Sequence, residues 1–286
     1  MQAPEPGPIQ ACADAVARAN PAVAWSICLI DRDGRPLAAV EPDRVLRTAS
    51  VGKVLLLTEL AAQLESGEAD ARMQLRVADS EPVGGSGLLQ YLSAEALRID
   101  DLAVLVAAVS DNDATNLLLD LVGLDRVRQR AESLGLSATR LHDRVRNSRG
   151  PDDPPTLSTG SAGELARVMV VIERGELVSA AVSRQLKSWL ACNADTTMVA
   201  AAFDLDPLEH NDPGEDDPCL FNKTGTDSGV RADVGWAAST PGEGVGFAAI
   251  ANWDAPSYQT ATAVLDGMHS LGEAVRRHLA ASSNLA

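Results

Sequence analysis

Lysine is almost missing from this chain: of its 24 basic residues only Lys53, Lys187 and Lys223 are lysines. There is no basic tract, and the formal net charge is −16. Together these exclude a general nucleic-acid binder, which needs cations to offset phosphate repulsion. Aromatic residues make up 3% of the chain while alanine is abundant, which predicts a helix-rich core of Ala, Leu and Val. The four cysteines, Cys12, Cys28, Cys192 and Cys219, have neither the density nor the spacing of a disulfide scaffold or a zinc site. The four histidines, His142, His210, His269 and His278, form no ligand pattern, so neither a metal nor a cofactor is expected. No apolar run approaches the length that spans a bilayer, so no membrane role is expected. No basic residue precedes Arg18, unlike a secretory signal. The protein as given is expected to be cytoplasmic, or secreted if a leader was trimmed.

What is present falls into blocks. Residues 11–19 read as a short amphipathic helix. Val23–Ile30 and Pro36–Val40 read as strands joined at Asp31-Arg32-Asp33-Gly34, an Asp-Gly hairpin signal. From Ser50 an apolar helix runs to Gly67. Residues 70–185 look mainly helical, with Leu102–Val109, Ala114–Val122 and Glu164–Glu173 the clearest segments and a long loop from Arg144 to Pro155. An acidic stretch, Asp204 to Pro218, holds seven carboxylates. Strands at Val234–Ala238 and Val245–Trp253 and a helix at Ala261–Leu279 close the chain. If the first and last strands share one sheet, the termini meet and the middle is a helical insert. The expected fold is α+β. A discontinuous domain with an antiparallel sheet (1–47 and 198–286) is joined to an all-helical domain (48–197), with the site between them.

Two of the three lysines lie in motifs built around a candidate nucleophile. Ser50-Val51-Gly52-Lys53 places a hydroxyl and an amine three residues apart at an expected helix start, on one face. A serine needs a base to take its proton, and a lysine can be that base once burial or a second cation lowers its pKa. Arginine cannot take that role, because its pKa is too high. Lys223, in Lys223-Thr224-Gly225-Thr226, could supply the second cation. That segment reads as an edge strand, with Gly225 allowing close approach of a substrate backbone. The Ser50 and Thr226 N–H groups are the candidate oxyanion donors. Ser110-Asp111-Asn112 lies between two helical runs, where Ser110 or Asp111 could simply cap the next helix. The functional alternative makes Ser110 a proton relay and Asn112 a ligand for a substrate amide.

All three motifs occur once, in this order, and the chain resembles the penicillin-recognising serine hydrolases, most closely the class A β-lactamases. Gly84-Gly85-Ser86-Gly87-Leu88-Leu89, Asn116-Leu117-Leu118-Leu119 and Trp189-Leu190 extend the resemblance over nearly the whole chain. It implies a β-lactamase/transpeptidase-like fold. By position it makes Ser50 the acylated nucleophile, Lys53 its activating amine and Ser110 a proton shuttle. Asn112 is then the amide ligand, and Lys223, Thr224 and Arg231 receive a substrate carboxylate.

One part of the family pattern is missing. Class A enzymes carry a glutamate followed two residues later by Leu-Asn in the loop after the second motif, where it positions the deacylating water. Here Leu141 to Gly150 contains neither, and Arg146 falls near the glutamate's place. Asp143, Asp152, Asp153 and the acidic stretch 204–218 are the candidate substitutes. The expected function is therefore a serine hydrolase acylated at Ser50 by β-lactams or related amides and esters, with slow or atypical deacylation. The alternatives are a β-lactam-binding sensor or sink that stays acylated, and an esterase or biosynthetic hydrolase. The expected partner is a small-molecule substrate, and the expected state is a monomer.

Overall fold

The computed structural model describes residues 7–209, 219–240, 243–254 and 257–283. Helix α1 (Pro8–Ala19) leads into β1 (Ala24–Asp31), which turns at Gly34, in the left-handed region at φ +82°, into β2 (Pro36–Val40). Short β3 (Leu46–Arg47) precedes a 3-10 turn, Ala49–Gly52, and helix α2 (Lys53–Ser66). Gly67, also left-handed, ends α2 with its N–H on the Leu64 carbonyl, as its position after the apolar run predicts. The middle of the chain holds β4 (Gln74–Arg76), β5 (Ala96–Arg98), α3 (Ile99–Val109), α4 (Asn112–Val122) and α5 (Leu124–Ser133). It continues with β6 (Arg140–Leu141), β7 (Ser158–Gly160), α6 (Ala162–Glu173) and α7 (Ala180–Leu190). A 3-10 turn at Val199–Phe203, strands β8 (Cys219–Asp227), β9 (Val230–Thr240) and β10 (Glu243–Asn252), and helix α8 (Tyr258–Ser283) complete it.

The five long strands form one antiparallel sheet in the order β2-β1-β10-β9-β8, so the first strands of the chain do join the last. Ala24 pairs with Asn252 and Asp31 with Val245. Strand side chains alternate between faces. Ile27, Leu29 and Phe247 meet α1 and α8 through Val16, Met268 and Leu271. Ile30, Phe221, Val234 and Trp236 meet the apolar side chains of α2, α6 and the other helices. Both faces are covered and the fold is α+β. We propose the division at 47/48 and 197/198 as a description of these layers, noting that α6 lies in the middle segment yet packs on β1, β9 and β10.

Five short strands carry no signal in the sequence: β3, β6 and β7, which form a small three-stranded sheet, and β4 and β5, which pair with each other. Two or three residues are too few to leave an alternation in the sequence. That small sheet nevertheless shapes the site.

Candidate active site

Ser50 is not the first residue of a helix, as the sequence reading expected. It sits in the preceding 3-10 turn, where the Lys53 N–H reaches back to the Ser50 and Val51 carbonyls, and α2 begins at Lys53. Ala49 before it is held left-handed at φ +47°, a strained conformation for a residue with a Cβ. Ser158 on β7 secures the turn. Its hydroxyl donates to the Ala49 carbonyl and lies 2.7 Å from the Thr48 hydroxyl, while its carbonyl accepts from Thr48 N–H at 3.1 Å. A Cβ on Gly52 would fall 2.3 Å from the Ser158 Cβ, which explains the glycine between nucleophile and lysine. Nothing in the sequence signalled Ser158, because its strand is too short to recognise.

Strand β8 is an edge strand of the large sheet, as expected, and lies against this turn. A Cβ on Gly225 would come within 2.2 Å of the Thr48 carbonyl oxygen and 3.1 Å of the Ser50 nitrogen. Glycine is therefore required where β8 meets the nucleophile. The Ser50 N–H makes no hydrogen bond among the described residues, which leaves it available to an oxyanion. Gly225→Ala is expected to push β8 off the turn and slow acylation by about 10²-fold or more, the cost of losing one oxyanion donor. Stopped-flow acylation beside a thermal melt checks this, and a normal rate with a normal melt would contradict it.

Lys53 is fully buried. Its amine lies 2.6 Å from the Ser110 carbonyl oxygen, 2.8 Å from Asn112 Oδ1 and 3.2 Å from Ser110 Oγ. Two of these partners can only accept, and the third, a hydroxyl, can accept or donate. The amine donates in all three contacts, which satisfy an ammonium or a neutral amine alike, so it is burial and not the partner set that favours the neutral form. Burial drives the Lys53 pKa well below its ordinary value, the Lys223 cation lowers it further, and Asp111 opposes both. That is the direction in which Lys223, as a candidate second cation, is expected to act.

The middle motif divides its roles. Asp111 is the cap: its Oδ1 accepts from Ala114 N–H at 2.9 Å, and its Oδ2 accepts from Leu88 and Leu89 N–H. That leaves the Ser110 side chain free of capping α4, while its backbone N–H closes α3 on the Leu105 carbonyl. Ser110 is held left-handed at φ +55°, which turns both its carbonyl and its hydroxyl toward Lys53. Asn112 links Lys53 to the 84–89 loop through Nδ2, which donates to the Gly84 carbonyl at 2.8 Å.

Lys223 is likewise fully buried and donates to the Thr224 carbonyl at 3.0 Å. Burial lowers its pKa to about 8, against the opposing charges of Asp195 and Asp233. Thr224 is almost covered and Thr226 is exposed. Arg231 pairs across the ladder with Thr226, but its guanidinium is engaged with the Asp227 and Val230 carbonyls and stacks on Trp253, 6.0 Å from the ring centre. It stands next to the hairpin end of the strand pair, three residues along β9 from Val234, the partner of Lys223.

The acids offered as substitutes for the missing glutamate are mostly engaged elsewhere. Asp143 is buried and bound by Arg146 at 2.7 Å and Arg149 at 2.6 Å. Burial raises its pKa, but these hydrogen bonds outweigh it and the net shift is downward. Asp153 takes Arg146 at 3.2 Å and the Gly150 N–H at 2.8 Å. Glu164 accepts from the backbone N–H groups of Ser137, Ala138 and Thr139. Asp152 is exposed. Asn116, already notable in the sequence, clamps the loop by bonding both the N–H and the carbonyl of Val145. Of the acidic stretch, residues 210–218, including His210, lie outside the described residues. Asp143→Asn should destabilise the fold by about 1–3 kcal/mol, since a buried pair is broken but its arginines are partly solvated. Because the folded pKa is depressed, this contribution is fully present above the ordinary carboxylate pKa and is lost as pH falls below it through the lower folded pKa. Urea melts of both proteins at neutral and acid pH should therefore converge at low pH, and a constant difference would contradict the assignment.

A family model described as the β-lactamase enzyme family matches residues 9–276, and the chain belongs to that family. It is a serine hydrolase of β-lactamase type. A β-lactamase from Sphaerobacter thermophilus superposes with a TM-score of 0.78 at 25% identity, covering 93% of this chain and 94% of that one. PBP-A superposes with a TM-score of 0.76 at 21% identity, covering 94% of each chain. The β-lactamase regulatory protein BlaB of Streptomyces cacaoi is 30% identical over 98 residues, 34% of this chain. The match spans 31% of that protein's own length. Among the described residues no helix is long and apolar enough to cross a membrane.

Proposed function

We propose that β-lactams, or related amides and esters, acylate Ser50 and that the acyl-enzyme is then hydrolysed slowly. The observation that carries this reading is that Lys53, three residues after Ser50, is fully buried and bonded to both Ser110 and Asn112 of the second motif. As Ser50 Oγ attacks the carbonyl carbon, Lys53 takes its proton and the carbonyl oxygen gains charge between the Ser50 and Thr226 N–H groups. The C–N bond then breaks, and the proton passes from Lys53 through the Ser110 hydroxyl to the departing nitrogen. Asn112 holds the substrate amide, while Lys223 and Thr224 receive its carboxylate; Arg231, engaged with the Asp227 and Val230 carbonyls, would have to leave them to join in. The acids of the 143–153 loop are tied to its own arginines or exposed, so water has no dedicated base there.

A second reading, a protein that stays acylated as a sensor or sink, is favoured by that same shortage and by the partial match to a regulatory protein. PBP-A, which has this fold, is known as an acyl-enzyme complex with penicillin G in a variant form. A chromogenic cephalosporin separates the two. A burst of one equivalent followed by a slow steady rate supports the hydrolase, a burst with no steady rate supports the sensor, and no burst overturns both.

A further inference from the structure

Asp233 on β9 is a fully buried carboxylate that the proposed chemistry does not use. Its Oδ1 accepts from Asn222 Nδ2 at 2.8 Å, and its Oδ2 accepts from the N–H groups of Val199 at 2.9 Å and Ala200 at 3.3 Å. Asn193, after α7, donates to Asn222 Oδ1 at 2.8 Å and to the Asp195 carbonyl at 3.0 Å. Asn193 and Asn222 are also fully buried. One chain of polar groups therefore ties together β8, β9, the segment after α7 and the turn at Val199–Phe203. Asp233 pairs with Thr224 across the ladder and its neighbour Val234 with Lys223, so the carboxylate and the lysine leave opposite faces of the strand pair and meet only through Asn222 and Thr224, the residues that flank Lys223.

None of the three groups that donate to Asp233 is a cation. A buried carboxylate without a bonded cation is costly, and an amide could accept the same backbone N–H groups more cheaply. The charge therefore needs a reason beyond packing, and Lys223 supplies one. We infer that Asp233 is a positioning residue for substrate carboxylate binding: it fixes the strand that carries Lys223 and keeps that lysine charged. This rests on the carboxylate-binding role given to Lys223 above.

The other groups acting here are few. Asp195 acts on both Lys223 and Asp233, and the Lys223 cation acts on Lys53. Lys187 on α7 is bound to Glu173 at 2.7 Å and lies over the Phe221 ring. Burial raises the Asp233 pKa to about 7 and lowers that of Lys223 to about 8. As pH rises the carboxylate ionises first, so the anion is in place where the lysine would otherwise start to lose its proton.

The test is Asp233→Asn in the full chain, assayed from neutral to alkaline pH with two substrates. One is a cephalosporin bearing a carboxylate and the other an uncharged p-nitrophenyl ester. For the cephalosporin the alkaline limb of kcat/KM should move about one unit toward acid, a loss of about tenfold at mildly alkaline pH, carried by KM. The ester profile should not move. An equal loss on both substrates at every pH would make Asp233 structural only and overturn the inference. Absence of acylation in the unmutated protein would sink the functional reading instead. Lysine 13Cε NMR, practical with three lysines, gives a second readout that needs no turnover and does not depend on the Asp233→Asn variant folding. In the unmutated protein the Lys223 resonance, assigned by its loss in Lys223→Met, should inflect near neutrality as Asp233 ionises. A flat Lys223 signal through that range would overturn the inference.

Discussion

Ser50→Ala is expected to abolish covalent labelling by a β-lactam. The turn around Ser50 is held by the backbone and by Ser158, not by the Ser50 hydroxyl, which has no hydrogen bond among the described residues. Its removal should therefore leave the Ala49 conformation, the Gly225 contact and the Lys53 partners in place. The variant should melt within about 0.5 kcal/mol of the parent, as a substitution outside any packed or bonded feature does. Intact mass after incubation should show no added ligand. Label retained at the parent rate would remove Ser50 from the chemistry.

Lys53→Met is expected to slow acylation by about 10²–10⁴-fold, the usual worth of a positioned general base. Methionine keeps much of the volume but leaves the Ser110 carbonyl and Asn112 Oδ1 without a donor, so some stability is lost as well. Lys53→Arg discriminates more sharply. It restores donors but cannot lose a proton, and it would place a permanent charge in a buried site facing Lys223. It should be as slow as the methionine variant, and rescue by arginine would show that Lys53 acts as a charge and not as a base. In the parent, acylation requires the neutral amine. The rate should therefore fall as pH drops through the lowered Lys53 pKa, and that acid limb should vanish in Lys53→Met.

The sequence exposed the skeleton of the site because its parts are local. A serine three residues before a lysine, a Ser-Asp-Asn and a Lys-Thr-Gly are short strings, and the order of strands and helices announced which ends of the chain meet. The apolar runs after Ser50 and from Ala114 announced α2 and α4, and the Lys-Thr-Gly string announced β8. What stayed hidden depends on contacts between distant segments. Ser158 secures the nucleophile from a three-residue strand, 109 positions from the Ala49 carbonyl it bonds. The division of labour in Ser110-Asp111-Asn112 turns on one positive φ, which residue type does not reveal. Asp143 and Asp153 looked like possible water-activating acids, while Glu164 read as part of the following helix. Only the fold shows that arginines and backbone N–H groups occupy them. Asp233 reads in sequence as one more strand residue, and its meaning comes from Asn222, Asn193 and the turn at Val199.

Time-resolved intact-protein mass spectrometry with a cephalosporin, followed beside its absorbance, tests the central claim most directly. An adduct that forms in one stoichiometric step at Ser50 and decays slowly is the result this mechanism predicts. Rapid sustained turnover with no accumulated adduct would contradict it, because it would require an efficient deacylating base that the 143–153 loop does not offer.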